Sequence, residues 1–154
     1  LARQPQGTLR FYSNDRKTWT SLGVIPVHGY HSMARHNPFR REVLFAGGND
    51  SRAVMILTAD GNLERMKDFP EPITVRHAIV TVDPVSGRYL IMVPDRKFYE
   101  FDSRQNVYRL IDDFSETPWP FHRYDAPVVA FIPEYGVTMW ADRKVMLYKH
   151  DAGE

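Results

Sequence analysis

The stretch His77-Ala-Ile-Val-Thr-Val-Asp-Pro-Val-Ser-Gly-Arg-Tyr-Leu-Ile-Met-Val-Pro-Asp-Arg-Lys-Phe-Tyr-Glu-Phe-Asp102 decides how the rest of the chain is read. It holds a short apolar strand, a proline turn, a second apolar strand, a polar hairpin and an aromatic third strand. The next turn, Asp102-Ser-Arg-Gln-Asn106, leads to a fourth run at 107–111. Runs of β-branched and aromatic residues broken by Asp, Asn, Gly and Pro are antiparallel strand and hairpin chemistry.

Working outward, the pattern occurs on both sides. His31-Ser-Met-Ala-Arg-His-Asn-Pro38 precedes it and Ala126-Pro-Val-Val-Ala-Phe-Ile-Pro133 follows it. In each the proline stands seven positions after the first residue, and the first residues are 46 and then 49 apart. Second strands follow at 43–46, 89–93 and 136–140, and third strands at about 53–58, 97–101 and 144–149. Fourth strands are expected at 63–66 and 107–111. No segment keeps a helical period over ten or more residues. A four-stranded antiparallel unit recurring at this spacing is the signature of a β-propeller blade, whose two faces are covered only by stacking on neighbours.

The predicted fold is therefore all-β, with about three and a quarter blades. Residues 1–29 form an incomplete first blade, 30–75 and 76–123 full blades, and 124–154 an incomplete last one. In the first, aligning Phe11-Tyr12 with Phe98-Tyr99 makes Ser13-Asn-Asp-Arg-Lys-Thr-Trp19 the turn between strands three and four. Trp19 then takes the place of Tyr108. A propeller closes with about four to eight blades. Ring completion is thus expected from further blades of a longer parent chain or from another copy; two copies would bring about 26 strands. A first residue of Leu1 rather than Met favours excision from a longer chain.

Composition limits the chemistry. Twenty Lys and Arg against nineteen Asp and Glu give a net charge of +1. No basic excess is available for a phosphate backbone, so a nucleic-acid partner is not expected. No apolar run reaches the roughly 20 residues that span a bilayer. The absence of cysteine excludes disulfides, thiolate nucleophiles and cysteine-ligated metals within this chain. It does not fix the compartment; a secreted or periplasmic location is the reading preferred.

Val43-Leu-Phe-Ala-Gly-Gly-Asn-Asp50 resembles a kelch repeat, a hydrophobic strand ending in a Gly-Gly pair. The layout of the whole chain is similar to kelch and galactose-oxidase-like propellers. That resemblance implies that Gly47 and Gly48 allow close backbone approach near the axis. The other two blades depart from it, with Val93-Pro94 and Trp140-Ala141 at the same place. Ser13, Asp15, Thr18 and Trp19 also resemble the Asp-box of sialidase-type propellers, one residue short and without its glycine.

In an up-and-down blade the loop entering strand one shares a rim with the loop joining strands two and three. That rim gathers Tyr30, His31, Arg76, His77, Tyr124 and Asp125, ringed by Asp95, Arg96, Asp142 and Arg143. Trp119 stands in the long proline-stiffened entering loop. Aromatic faces beside charged groups suit a sugar or a protein surface.

His31 and His77 equally suit backbone hydrogen bonds at strand starts, the Asp-Arg-Lys hairpins solvated turns, and Trp119 packing between blades. With Tyr30 or Tyr124 the two histidines could ligate copper or iron near the axis. The radical copper chemistry of galactose oxidase, however, requires a Tyr–Cys thioether that this chain lacks. The expectation is a non-enzymatic recognition module for a glycan or protein, with no metal and no cofactor. The alternatives are a fragment of a glycosidase, sialidase-like enzyme or oxidase, and a structural propeller in an assembly.

Overall fold

The computed structural model describes residues 7–27, 32–48, 50–73, 78–93, 97–114, 116 and 128–150. These form four antiparallel sheets of consecutive strands. Sheet I holds β1 (Gly7–Ser13) and β2 (Thr18–Ile25). Sheet II holds β3 (Ser32–Asn37), β4 (Glu42–Gly47), β5 (Val54–Leu57) and β6 (Leu63–Arg65). Sheet III holds β7 (Ile79–Val82), β8 (Tyr89–Val93), β9 (Lys97–Asp102) and β10 (Val107–Asp113). Sheet IV holds β11 (Val128–Ile132), β12 (Val137–Ala141) and β13 (Val145–Lys149). One 3₁₀ turn, Pro133–Tyr135, interrupts them, and no helix among the described residues is long and apolar enough to cross a membrane.

The three proline turns are equivalent in backbone. Each runs Pro-x-x and then a residue with positive φ: Arg41 at 55°, Gly87 at 67° and Gly136 at 63°. The residue before proline sets how the turn is held. Asn37 Oδ1 accepts the amides of Phe39 and Arg40 at 3.1 and 3.2 Å. Asp83 does the same for Val85 and Ser86 at 3.3 and 2.9 Å. A short polar side chain capping its own turn in this way is why Asn and Asp stand there. Ile132 has no such acceptor, and its turn closes instead as 3₁₀, with Gly136 N–H donating to Pro133 O at 3.1 Å.

Strand alternation then builds the core, because successive side chains face opposite ways. All five residues of β8 are buried. Tyr89, Ile91 and Val93 join Leu44, Ala46, Val54 and Ile56 of sheet II. Leu90 and Met92 join Trp140 of sheet IV. Sheet II uses its other face, with Phe45, Met55 and Leu63, against Leu9 and Ile25 of sheet I. The sheets are thus stacked face to face in chain order, each large buried side chain contributing about 1.5–3 kcal/mol.

The first strands stand side by side, since β3 and β11 both approach β7. Arg35 Nη2 donates to Thr81 Oγ1 at 3.2 Å, and both residues lie two places before their pre-proline residue. Asn37 Nδ2 donates to Gly87 O at 2.8 Å, and Thr138 Oγ1 to Val82 O at 3.2 Å. These contacts put β3 and β7 level and in the same direction, with the second strand of sheet IV tied to the same place.

Sheet I corrects one alignment. Ser13 pairs with Thr18 as Asp102 pairs with Val107, and each four-residue turn ends in a positive φ, at Lys17 and Asn106. Phe11-Tyr12 therefore corresponds to Glu100-Phe101, not to Phe98-Tyr99. Trp19 still corresponds to Tyr108: Tyr12 packs on Trp19 at 5.0 Å between ring centroids, as Phe101 packs on Tyr108 at 4.4 Å. Both pairs carry a bulge at the same step, between Leu9 and Arg10 and between Leu110 and Asp112. Sheet I thus has the local structure of the third and fourth strands of sheet III.

Candidate functional site

Of the expected rim residues, Asp142 and Arg143 lie among those described. They occupy the β12–β13 turn, where Ala141 pairs with Val128, so the turn is level with the start of β11. Asp142 is half-buried and its amide donates to Lys144 O at 3.0 Å, while Arg143 is exposed. At the same level in sheet II, Ser32 pairs with Gly47, which places Gly48 and Asp50 beside the start of β3. Tyr30, His31, Arg76, His77, Asp95, Arg96, Trp119, Tyr124 and Asp125 lie outside the described residues.

The diglycine has a visible cause. Gly47 has φ +75°, and a Cβ on it would collide with the side chain of Ile73. Ile73 is fully buried, and its amide donates to Ser51 O at 3.1 Å as the chain leaves sheet II. Close approach at Gly47 is therefore made by the segment leading toward the next sheet.

A second polar region lies at the opposite end of the strands, around the proline turns. Its centre is Glu100, 3% exposed, on β9 between two aromatic residues. Arg88 Nη1 donates to Glu100 Oε1 at 2.8 Å, and Arg88 Nε to Asp102 Oδ2 at 3.2 Å. Arg40 from the sheet II turn donates to Asp102 Oδ1 and to Ser103 Oγ, both at 2.8 Å. Ser103 Oγ in turn donates to Glu42 Oε1 at 2.5 Å. From sheet IV, His150 Nδ1 stands 3.6 Å from Asp83 Oδ2 and 3.8 Å from Glu100 Oε2. An ionic network therefore ties sheets II and III together through Arg40, and His150 stands against it from the end of sheet IV.

The electrostatics follow from those partners. Burial pushes the Asp102 carboxyl up, but the bonds and charge of Arg40 and the amides of Gln105 and Arg104 bring it below the usual carboxylate range. Burial disfavours the Arg88 charge, yet Glu100 and Asp102 raise its pKa above the ordinary value. Arg35, with Thr81 and the Phe131 ring as neighbours, is lowered by desolvation.

Beside this network lies a cleft of about 270 Å³ between β10 and β13. Arg88, Arg109, Lys149 and His150 supply its polar wall, and Leu110, Ile111 and Tyr148 its apolar one. His150 Nδ1 in that wall, and Glu100 Oε2 of the network beside it, are buried without a hydrogen-bond partner among the described residues. Such a wall can receive hydroxyl or carboxylate groups. Sequence reading missed this region, although a lone Glu inside the aromatic run Phe98-Tyr-Glu-Phe101 was its visible signal. Among the described residues no group of three or more His, Asp or Glu is placed to hold a metal. No protein-family model matches the chain, and no curated protein matches it.

Proposed function

We propose that the four sheets are blades of a kelch-like β-propeller and that the chain is a recognition module for a glycan or protein ligand. The ligand is received on the rim where the first strands begin. The observation that carries this reading is the level, same-direction juxtaposition of β3 and β7 through Arg35 and Thr81, with β11 alongside. First strands set side by side in one direction bring their entering loops to one end of the stack. Loops held by a rigid scaffold are where binding residues concentrate. Asp142, Arg143 and Asp50 stand at that end already.

The test is binding of the chain to immobilised neutral and acidic oligosaccharides, with turnover followed on the same sugars. The triple change Arg76→Ala, His77→Ala, Tyr124→Ala is compared with Lys149→Ala in the cleft. Binding without turnover, lost at least tenfold in the rim variant and kept in Lys149→Ala, is the expected result. Binding lost in Lys149→Ala but kept in the rim variant would move the site to the cleft. Release of sugar product abolished by changing Tyr124 or Asp125 would make the chain part of an enzyme instead.

A further inference from the structure

We infer that the chain associates with a second copy of itself head to tail, sheet IV of one copy stacking on sheet I of the next. This rests on the sheet stacking rather than on the ligand reading, and it concerns both ends of the stack. The register defines the face that each sheet offers to its successor. In sheet II it carries Met33, Leu44 and Ile56; in sheet III the corresponding positions are Ile79, Leu90 and Glu100. In sheet IV they are Val128, Met139 and Leu147, with Val145 beside them at the position of Val54 and Phe98. The first two faces are covered within the chain. The third is not: Val128 is 69%, Val145 65% and Leu147 64% exposed.

At the other end the opposite face of the same kind stands open. The pair Phe101–Tyr108 of sheet III belongs to the core shared with sheet II, its predecessor. The corresponding pair in sheet I is Tyr12–Trp19, and Trp19 is 66% exposed. Val24 falls on the same face by alternation past the bulge and is 56% exposed. The chain therefore carries one open face toward a successor and one toward a predecessor, sheet I offering the third- and fourth-strand part of the face through which sheet III meets sheet II. A second copy is the partner built to that pattern, and the contact is heterologous, using a different patch on each copy.

Sedimentation and light-scattering mass over a range of concentrations test it. The wild-type chain, 17.9 kDa, should rise with concentration toward multiples of that mass. Leu147→Glu and Trp19→Glu, each keeping one face intact, should each remain monomeric alone. Mixed in equal amounts they should restore a dimer that grows no further. The milder pair Leu147→Ser and Trp19→Ala, with unchanged circular dichroism, should weaken association at least tenfold and guards against misfolding. A wild-type chain monomeric at every concentration would overturn the inference. So would Trp19→Glu dimerising by itself, because that result means like faces meet.

Discussion

At the residue scale, three positions with the same backbone carry different side chains, and this separates conformation from packing. Arg41, Gly87 and Gly136 each sit three residues after a turn proline in the left-handed region. A Cβ there costs about 1–2 kcal/mol in a non-glycine residue. At Gly136 it would also come within 3.2 Å of Val85 Cγ2 from the neighbouring turn. We expect Gly87→Ala and Gly136→Ala to lower stability by about 1 and about 2 kcal/mol. Arg41→Gly should change it by less than about 0.5 kcal/mol, relief of strain offsetting the more flexible unfolded chain. Urea midpoints for the three variants check the order. Gly47→Ala should be the most damaging of the glycine changes, at about 3 kcal/mol, since Ile73 leaves the new methyl no room.

At the element scale, β9 shows why the two polar regions differ in legibility. Strand order and turn positions could be read from Asp-Pro and Asn-Pro steps and from period-two alternation, because those signals are local. Burial of Glu100 and Asp102 could not, because it depends on Arg40 from another sheet and on sheet IV covering the face of β9. The misplacement of Phe11-Tyr12 has a similar origin. Matching aromatics ignored the pairing of Ser13 with Thr18, which the turn and not the rings determines. The rim offered residue types at corresponding positions, and of these the described residues place Asp142 and Arg143. Two ion-paired carboxylates predict a pH response: Asp102 in the ionic network, and Glu71, which pairs separately with Lys97. Asp102 and Glu71 both have lowered pKa values; for Glu71, burial raises it and the bonds from Lys97 and Tyr99 outweigh that. A carboxyl held low in the folded state stabilises above its unfolded pKa of about 4, and the gain disappears as pH falls through the folded value. Stability should therefore be level at neutral pH and decline below about pH 4. Asp102→Asn should remove part of that acid dependence. It should also cost about 3 kcal/mol at pH 7, because Arg40, 6% exposed, loses its charged partner. Denaturant titrations of both chains from pH 7 to pH 3 measure the two effects together.

At the scale of the whole molecule, a stack in which the large interfaces join consecutive sheets, with Phe131 of sheet IV also reaching Phe39 and Arg35 of sheet II, distributes stability unevenly along the chain. Sheet III is covered on both faces, by sheet II through Tyr89, Ile91 and Phe101 and by sheet IV through Leu90, Met92 and Phe98. Sheet I is covered on one, by a small cluster around Ile25, Val27 and Met55. In such a linear array the opening free energy of a unit is its own stability plus the interfaces it must break. Opening sheet I sacrifices one minor interface; opening sheet III sacrifices two major ones and the Arg40–Asp102 and His150–Asp83 contacts that cross them. Native-state hydrogen exchange should accordingly show β1 and β2 amides exchanging first, β13 next, and β8 and β9 last, near the global limit. Trp140→Ala makes the argument sharper. Trp140 is 1% exposed and meets Phe98 edge to face at 5.4 Å, so its loss should cost about 3–5 kcal/mol. If coupling runs only between neighbours, that cost should speed exchange in sheets IV and III while leaving β1 and β2 unchanged. Equal acceleration in all four sheets would mean that the molecule opens as one unit, and that the interfaces rather than the sheets hold most of its stability.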